Sequence, residues 1–111
     1  MKRSAMVKLI AGSLLLAVSS VAQAQAGGDA AAGKQKASMC VGCHEIEGYR
    51  TAYPTVYNVP KLRGQHAVYL GKALEAYKAG NRNHPSMDAI ATTLSPQDIQ
   101  DLVAYYTSGG K

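Results

Sequence analysis

The sequence predicts an all-α domain, with four or so short helices and their loops wrapped around a bound group. Three observations predict it. No run of the 111 residues alternates apolar and polar side chains for long enough to mark a strand. Several short segments instead repeat apolar residues at helical spacing between cap-forming residues. Finally, the part of the chain that follows a removable leader is too small to bury more than a marginal core, so a disulfide, a metal or a cofactor is expected to complete it.

The leader is residues 1–24. Lys2, Arg3 and Lys8 make a basic start, Leu9 to Val18 is an apolar stretch, and Ala22-Gln23-Ala24 is a small-residue cleavage site. Ala24-Gln25-Ala26 offers the same pattern two residues later. The apolar stretch is shorter than the ~20 residues of a membrane span. Export followed by cleavage is therefore expected, with no stable membrane insertion afterwards. An uncleaved anchor helix is the alternative. The formal charge of +5 comes largely from this leader. Removing it takes three of twelve basic residues and no acidic one, leaving a domain over 25–111 of formal charge +2. Such a balance gives no reason to expect a nucleic-acid partner.

The mature chain reads as follows. Gly28-Asp29 caps a helix over Ala30–Met39, rich in Ala and Lys. Glu45 to Gly64 carries two Pro, two Gly and three Tyr, and reads as a long irregular loop wrapped around something. Gln65 to Ala79 is a helix with Ala67, Leu70, Leu74 and Tyr77 on one face, ended by Gly80. After the turn Gly80 to Pro85, Ser86 caps a short helix through Leu94. Ser95-Pro96-Gln97-Asp98 starts the last helix, with Ile99, Leu102, Val103 and Tyr106 on its apolar face and Gly109-Gly110 at its end.

The chemistry lies in Cys40-Val41-Gly42-Cys43-His44. C-x-x-C-H is the signature of covalent haem attachment. On a helical turn, positions i, i+3 and i+4 share one face. Two thiols can then add to the two vinyl groups of one porphyrin edge while the histidine reaches the iron. A thioredoxin-type pair is the first alternative, but no βαβ pattern surrounds the motif. A zinc site is the second; it would recruit His66 or His84 as fourth ligand, but no second ligand pair follows. A Cys40–Cys43 disulfide would close a trivially small loop. One iron position remains. Met87 is the sole methionine after the motif, and a thioether there would raise the potential. His66, His84 and an open position are its rivals, and core packing is the ordinary use of a lone Met.

Read together, Gly28-Asp29, Gly33, CVGCH, Pro60 to His66, Tyr69-Leu70, Ala79 to Arg82, Met87, Leu94-Ser95 and Asp101 to Tyr106 make the chain resemble a class I cytochrome c. It is most similar to one domain of the di-haem periplasmic cytochromes and to their mono-haem relatives. The resemblance implies one haem c with its iron, bound through Cys40 and Cys43, with His44 and Met87 as axial ligands. It implies that the Pro60 carbonyl accepts the axial histidine's proton, with Pro54 as runner-up. It also implies a close crossing of the first and last helices at Gly33 and Tyr105. Two departures stand out: a single C-x-x-C-H, and a Tyr-containing segment at 45–59 where the family has a Gly-rich one.

The expected function is periplasmic one-electron transport in a respiratory chain, without catalytic residues. Electrons would pass between respiratory or dehydrogenase partners and a terminal acceptor such as an oxidase, with the protein a monomer or weak dimer. A dedicated cytochrome subunit of a periplasmic dehydrogenase is one alternative. A haem sensor or enzyme with a labile sixth ligand is another. Lys61, Arg63, Lys72, Lys78 and Arg82 against Glu75, and Asp88, Asp98 and Asp101 without a base, suggest a charge dipole that steers docking to a reductase or oxidase. A solvated helix face is the plainer reading.

Overall fold

The computed structural model describes residues 27–53 and 55–109. The expected leader, both cleavage sites, Pro54 and Gly110 lie outside them. Five helices follow in order: α1 (Ala30–Lys36), α2 (Ser38–His44), α3 (Ala67–Lys78), α4 (Pro85–Thr92) and α5 (Pro96–Thr107). Between α2 and α3 lies a two-residue antiparallel ladder, β1 (Arg50–Thr51) with β2 (Tyr57–Asn58), in the register Arg50 to Asn58 and Thr51 to Tyr57. The fold is all-α apart from that ladder, which is too short to leave any alternation in the sequence.

The single helix expected over 30–39 is two. Asp29 caps α1, its Oδ1 accepting from the Ala31 amide at 2.8 Å. The chain then turns at Ala37, which is fully buried. The Ala37 carbonyl accepts from both Cys40 N (2.8 Å) and Val41 N (3.1 Å), so the first turn of α2 is tightened. Composition does not betray this break, because Ala37 is a good helix former. Its smallness at the core corner permits the turn.

α3 stops as expected. Gly80 adopts φ +77°, Asn81 N donates to Ala76 O at 2.8 Å and Gly80 N to Tyr77 O at 3.2 Å. This pair of bonds satisfies the last carbonyls of the helix and needs a left-handed residue at Gly80. α4 starts two residues earlier than expected: His84 is its cap, Pro85 its first residue, and Ser86 lies inside the helix. The proline ring presets the first helical φ, while Asp88 Oδ2 takes the His84 amide at 3.2 Å. α5 begins on a reciprocal box, Asp98 N donating to Ser95 Oγ at 3.1 Å and Ser95 N to Asp98 Oδ2 at 2.8 Å.

The core is built from Ala37, Leu70, Leu94, Ile99, Leu102 and Tyr106. α1 and α5 cross against each other, and α5 and α4 pack on α3. The crossing of α1 and α5 requires Gly33: a Cβ there would overlap the Asp101 carbonyl and lie 2.8 Å from Tyr105 Cβ. Asp101 is buried at the same crossing. Its Oδ1 accepts from Asp29 N (2.8 Å) and Gln97 Nε2 (2.9 Å), and its Oδ2 from Lys36 Nζ (2.5 Å). Lys36 also pairs with Asp98 at 2.7 Å. These contacts hold both carboxyls near a pKa of about 2, chiefly through the lysine. Sequence reasoning placed Asp98 in the first turn of the last helix and assigned Asp101 no bonding role, yet Asp101 ties the first helix to the last.

Candidate cofactor site

Much of the core forms one wall of a cavity of about 440 Å³, a size that suits a small-molecule group. Leu70, Leu94, Leu102 and Tyr106 belong to both. Leu74, Ile90 and Val103 extend the apolar lining. Cys40, Cys43 and His44 reach it from α2, and Met87 from α4. Tyr57 to Leu62 closes a further side, so the segment expected to wrap around something does so.

His44 is held from behind. Its Nδ1 lies 2.7 Å from the Pro60 carbonyl oxygen. A carbonyl only accepts, so Nδ1 carries a proton, and in the neutral ring the lone pair is on Nε2. Cys40 and Cys43 are free thiols, Cys40 half-buried and Cys43 exposed. Burial raises the Cys40 pKa, with the nearby Tyr106 hydroxyl opposing the rise. Burial also raises the Tyr106 phenol above its usual range. Both shifts mark a poorly hydrated wall behind the motif.

Of the rival ligands, His66 is exposed at the start of α3 and does not line the cavity. His84 does line it, with its ring edge-on to Tyr57 at 5.1 Å between centroids. Among the described residues, no three His, Cys, Asp or Glu side chains converge as a metal-binding group, so Cys40, Cys43 and His44 find no fourth zinc ligand in His66 or His84. The residues fit a haem instead: two thiols on one helical turn, a histidine with a directed lone pair, a thioether, and an apolar hollow that completes the core.

The comparisons decide the family. The family model described as cytochrome c matches residues 30–109. The chain belongs to the cytochrome c family. Cytochrome c4 of Pseudomonas aeruginosa is 43% identical over 96 residues, which cover 86% of this chain and 46% of that protein. Cytochrome c-554(548) of Halomonas halodenitrificans is 44% identical over 84 residues, covering 73% of this chain and 96% of that protein. The chain thus spans about half the length of the cytochrome c4 relatives that it matches. Membership in this family makes the chain an electron-transfer protein with a covalently bound c-type haem and its iron, and the helical fold is that of class I.

The cytochrome's charges are more compensated than the sequence suggests. Lys61 pairs with Glu47 at 2.8 Å, Arg63 with Glu45 at 3.3 Å and Lys72 with Glu75 at 2.9 Å. Lys78 donates to the Leu94 carbonyl. Arg63 also donates to the Tyr105 hydroxyl at 2.5 Å and lies over that ring. The run of bases expected to form a steering patch is therefore mostly spent on local partners, as the plainer reading of a solvated face has it. Arg82 differs: it lines the cavity, with its guanidinium 4.7 Å from the centre of the Tyr77 ring. Sequence reasoning missed Tyr69 and Arg82 as cavity residues, because only the fold brings α3 and the α3–α4 turn to one opening.

Proposed function

We propose that this cytochrome is a one-electron carrier of the periplasm, with Cys40 and Cys43 as the thioether residues of its haem and His44 and Met87 as the axial ligands. One observation carries the reading: one apolar cavity receives both cysteines and His44 from α2 and Met87 from α4, with His44 Nδ1 committed to the Pro60 carbonyl at 2.7 Å. The haem supplies a one-electron couple between ferrous and ferric iron. The protein does the rest. Pro60 fixes the His44 ring and increases its donation. Met87 would offer its thioether to the iron, which would favour the reduced form. The apolar wall of Leu70, Leu74, Ile90 and Leu102 keeps water away from the metal. A filled coordination sphere leaves no place for substrate, which agrees with a carrier and not an enzyme.

The leader over 1–24 supports export, and covalent haem attachment suits the same compartment. Among the described residues no helix is long and apolar enough to cross a membrane. Electrons would pass from a respiratory or dehydrogenase donor to an acceptor such as an oxidase. A second reading, a dedicated acceptor subunit, draws support from the thiosulfate dehydrogenase electron acceptor of Stutzerimonas stutzeri, 35% identical over 75 residues. It also draws on the exposed Tyr53 and Val56 between the two strands.

Met87→Ala tests the ligand set. The variant is expected to keep its covalent haem, bind carbon monoxide and lose potential, by a fraction of the about 0.8 V that axial ligands span. An unchanged potential would remove Met87 from the iron. Purification of the native protein with a bound dehydrogenase would favour the subunit reading over the free carrier.

A further inference from the structure

A haem brings more than iron and an apolar ring into the cavity. It carries two propionate carboxylates, on the edge of the porphyrin away from the two thioether bonds. With α2 holding the thioether edge, those carboxylates must meet the protein elsewhere on the cavity lining. A carboxylate entering a partly buried, apolar site is stable only with hydrogen-bond donors and counter-charge.

The lining narrows the choice. Its two basic side chains of fixed charge are Lys61 and Arg82. Lys61 already holds both carboxylate oxygens of Glu47, at 2.8 and 3.0 Å. Arg82 has no acidic partner among the described residues; its guanidinium rests on the Tyr77 ring and lies 3.5 Å from the Tyr69 hydroxyl. That support fixes the plane of the fork and leaves further donors to use. Two residues on, His84 Nδ1 is buried without a hydrogen-bond partner. Its ring is held edge-on by Tyr57, and its backbone amide is held by Asp88. A buried ring nitrogen left unpaired costs free energy unless something absent from the polypeptide completes it.

We propose that Arg82 and His84 form the carboxylate subsite of the haem, Arg82 supplying the charge and His84 Nδ1 a hydrogen bond. The inference rests on the haem reading above but not on Met87, and it assigns His84 a role other than iron ligand. Tyr69, Tyr77 and Tyr57 act as positioning residues that hold the two donors. The subsite also sets the potential. A cation beside the haem favours the reduced iron, so its removal favours the oxidised form.

The test uses the covalent holoprotein, with carbon-13 at the haem carboxylates, as wild type, Arg82→Gln, Arg82→Lys and His84→Phe. Phe keeps a ring against Tyr57 and removes the donor. Arg82→Gln is expected to shift the electron-exchange equilibrium with a fixed redox partner at least about threefold toward ferric protein. That is about 28 mV, at 59 mV per tenfold for a one-electron couple. Arg82→Lys should restore most of it. Arg82→Gln and His84→Phe should each move a labelled carboxylate signal. If Arg82→Gln gives no holoprotein, Arg82→Lys and His84→Phe decide by the same signals. Carboxylate signals unchanged in every variant obtained overturn the subsite. Loss of the ferric low-spin spectrum in His84→Phe would also overturn it, by making His84 the iron ligand. Wild-type protein lacking a thioether-to-iron band would count against Met87 alone and leave the carboxylate result standing.

Discussion

Asp101 shows how much one side chain carries in a domain of this size. It receives bonds from the start of α1, from Lys36 at its end and from Gln97 on its own helix. With Asp98, it has a folded pKa of about 2 against an ordinary 3.8. The unfolded chain therefore binds the proton more readily between those values. The stabilisation is complete above about pH 4 and is lost as the pH falls through about 2. Thermal midpoints measured from pH 6 to pH 2 should show Asp101→Asn well below wild type at pH 6, with the gap closing under pH 4. Gly33 is the complementary case, where the absence of a side chain carries the contact. Gly33→Ala must push the helices apart and should cost about 1–3 kcal/mol in denaturant unfolding, as overpacked sites do. The close crossing at Gly33 was legible through the family resemblance. The Asp101 hub was not, since a buried acid and a surface acid look alike in sequence.

The elements were legible where their signals are local. The Ser95-Pro96-Gln97-Asp98 start is one, because cap, proline and acid lie within four residues and act on one another. Ser95→Ala should cost ~0.5–2 kcal/mol, readable in the same unfolding experiment. Gly80 is another, since a left-handed helix end has few substitutes. Signals that depend on tertiary packing were not legible. The break at Ala37 comes from burial of a small residue at a corner, and the expected helix over 30–39 ran straight through it. The ladder of Arg50–Thr51 and Tyr57–Asn58 is fixed by the return of the chain around the cavity, not by propensity. Ser86 was expected as a cap, but the preset φ of Pro85 and the reach of Asp88 to the His84 amide move the start by two residues.

The whole molecule is organised around a hollow. Leu70, Leu94, Leu102 and Tyr106 are at once core and cavity wall, so the hollow lies directly against the packed core. That is the physical sense of the small-domain argument from length: the missing part of the core is the haem. Covalent attachment at one edge then lets short helices and an irregular loop hold a group that would otherwise demand a deeper cage. The cysteine motif was legible because its spacing is itself the chemistry. The remaining lining was not, since it is gathered from α3, α4, α5 and the loop by the fold alone.

The proposed carrier would hold a haem whose iron is closed on both sides, by His44 and Met87. The optical spectrum of the purified protein, oxidised, reduced and reduced under carbon monoxide, tests it most directly. A sharp low-spin reduced spectrum, a weak far-red ferric band from iron–thioether ligation, and no response to carbon monoxide are expected. A high-spin spectrum, or a reduced spectrum that shifts under carbon monoxide, would contradict it and point to an open or labile sixth position.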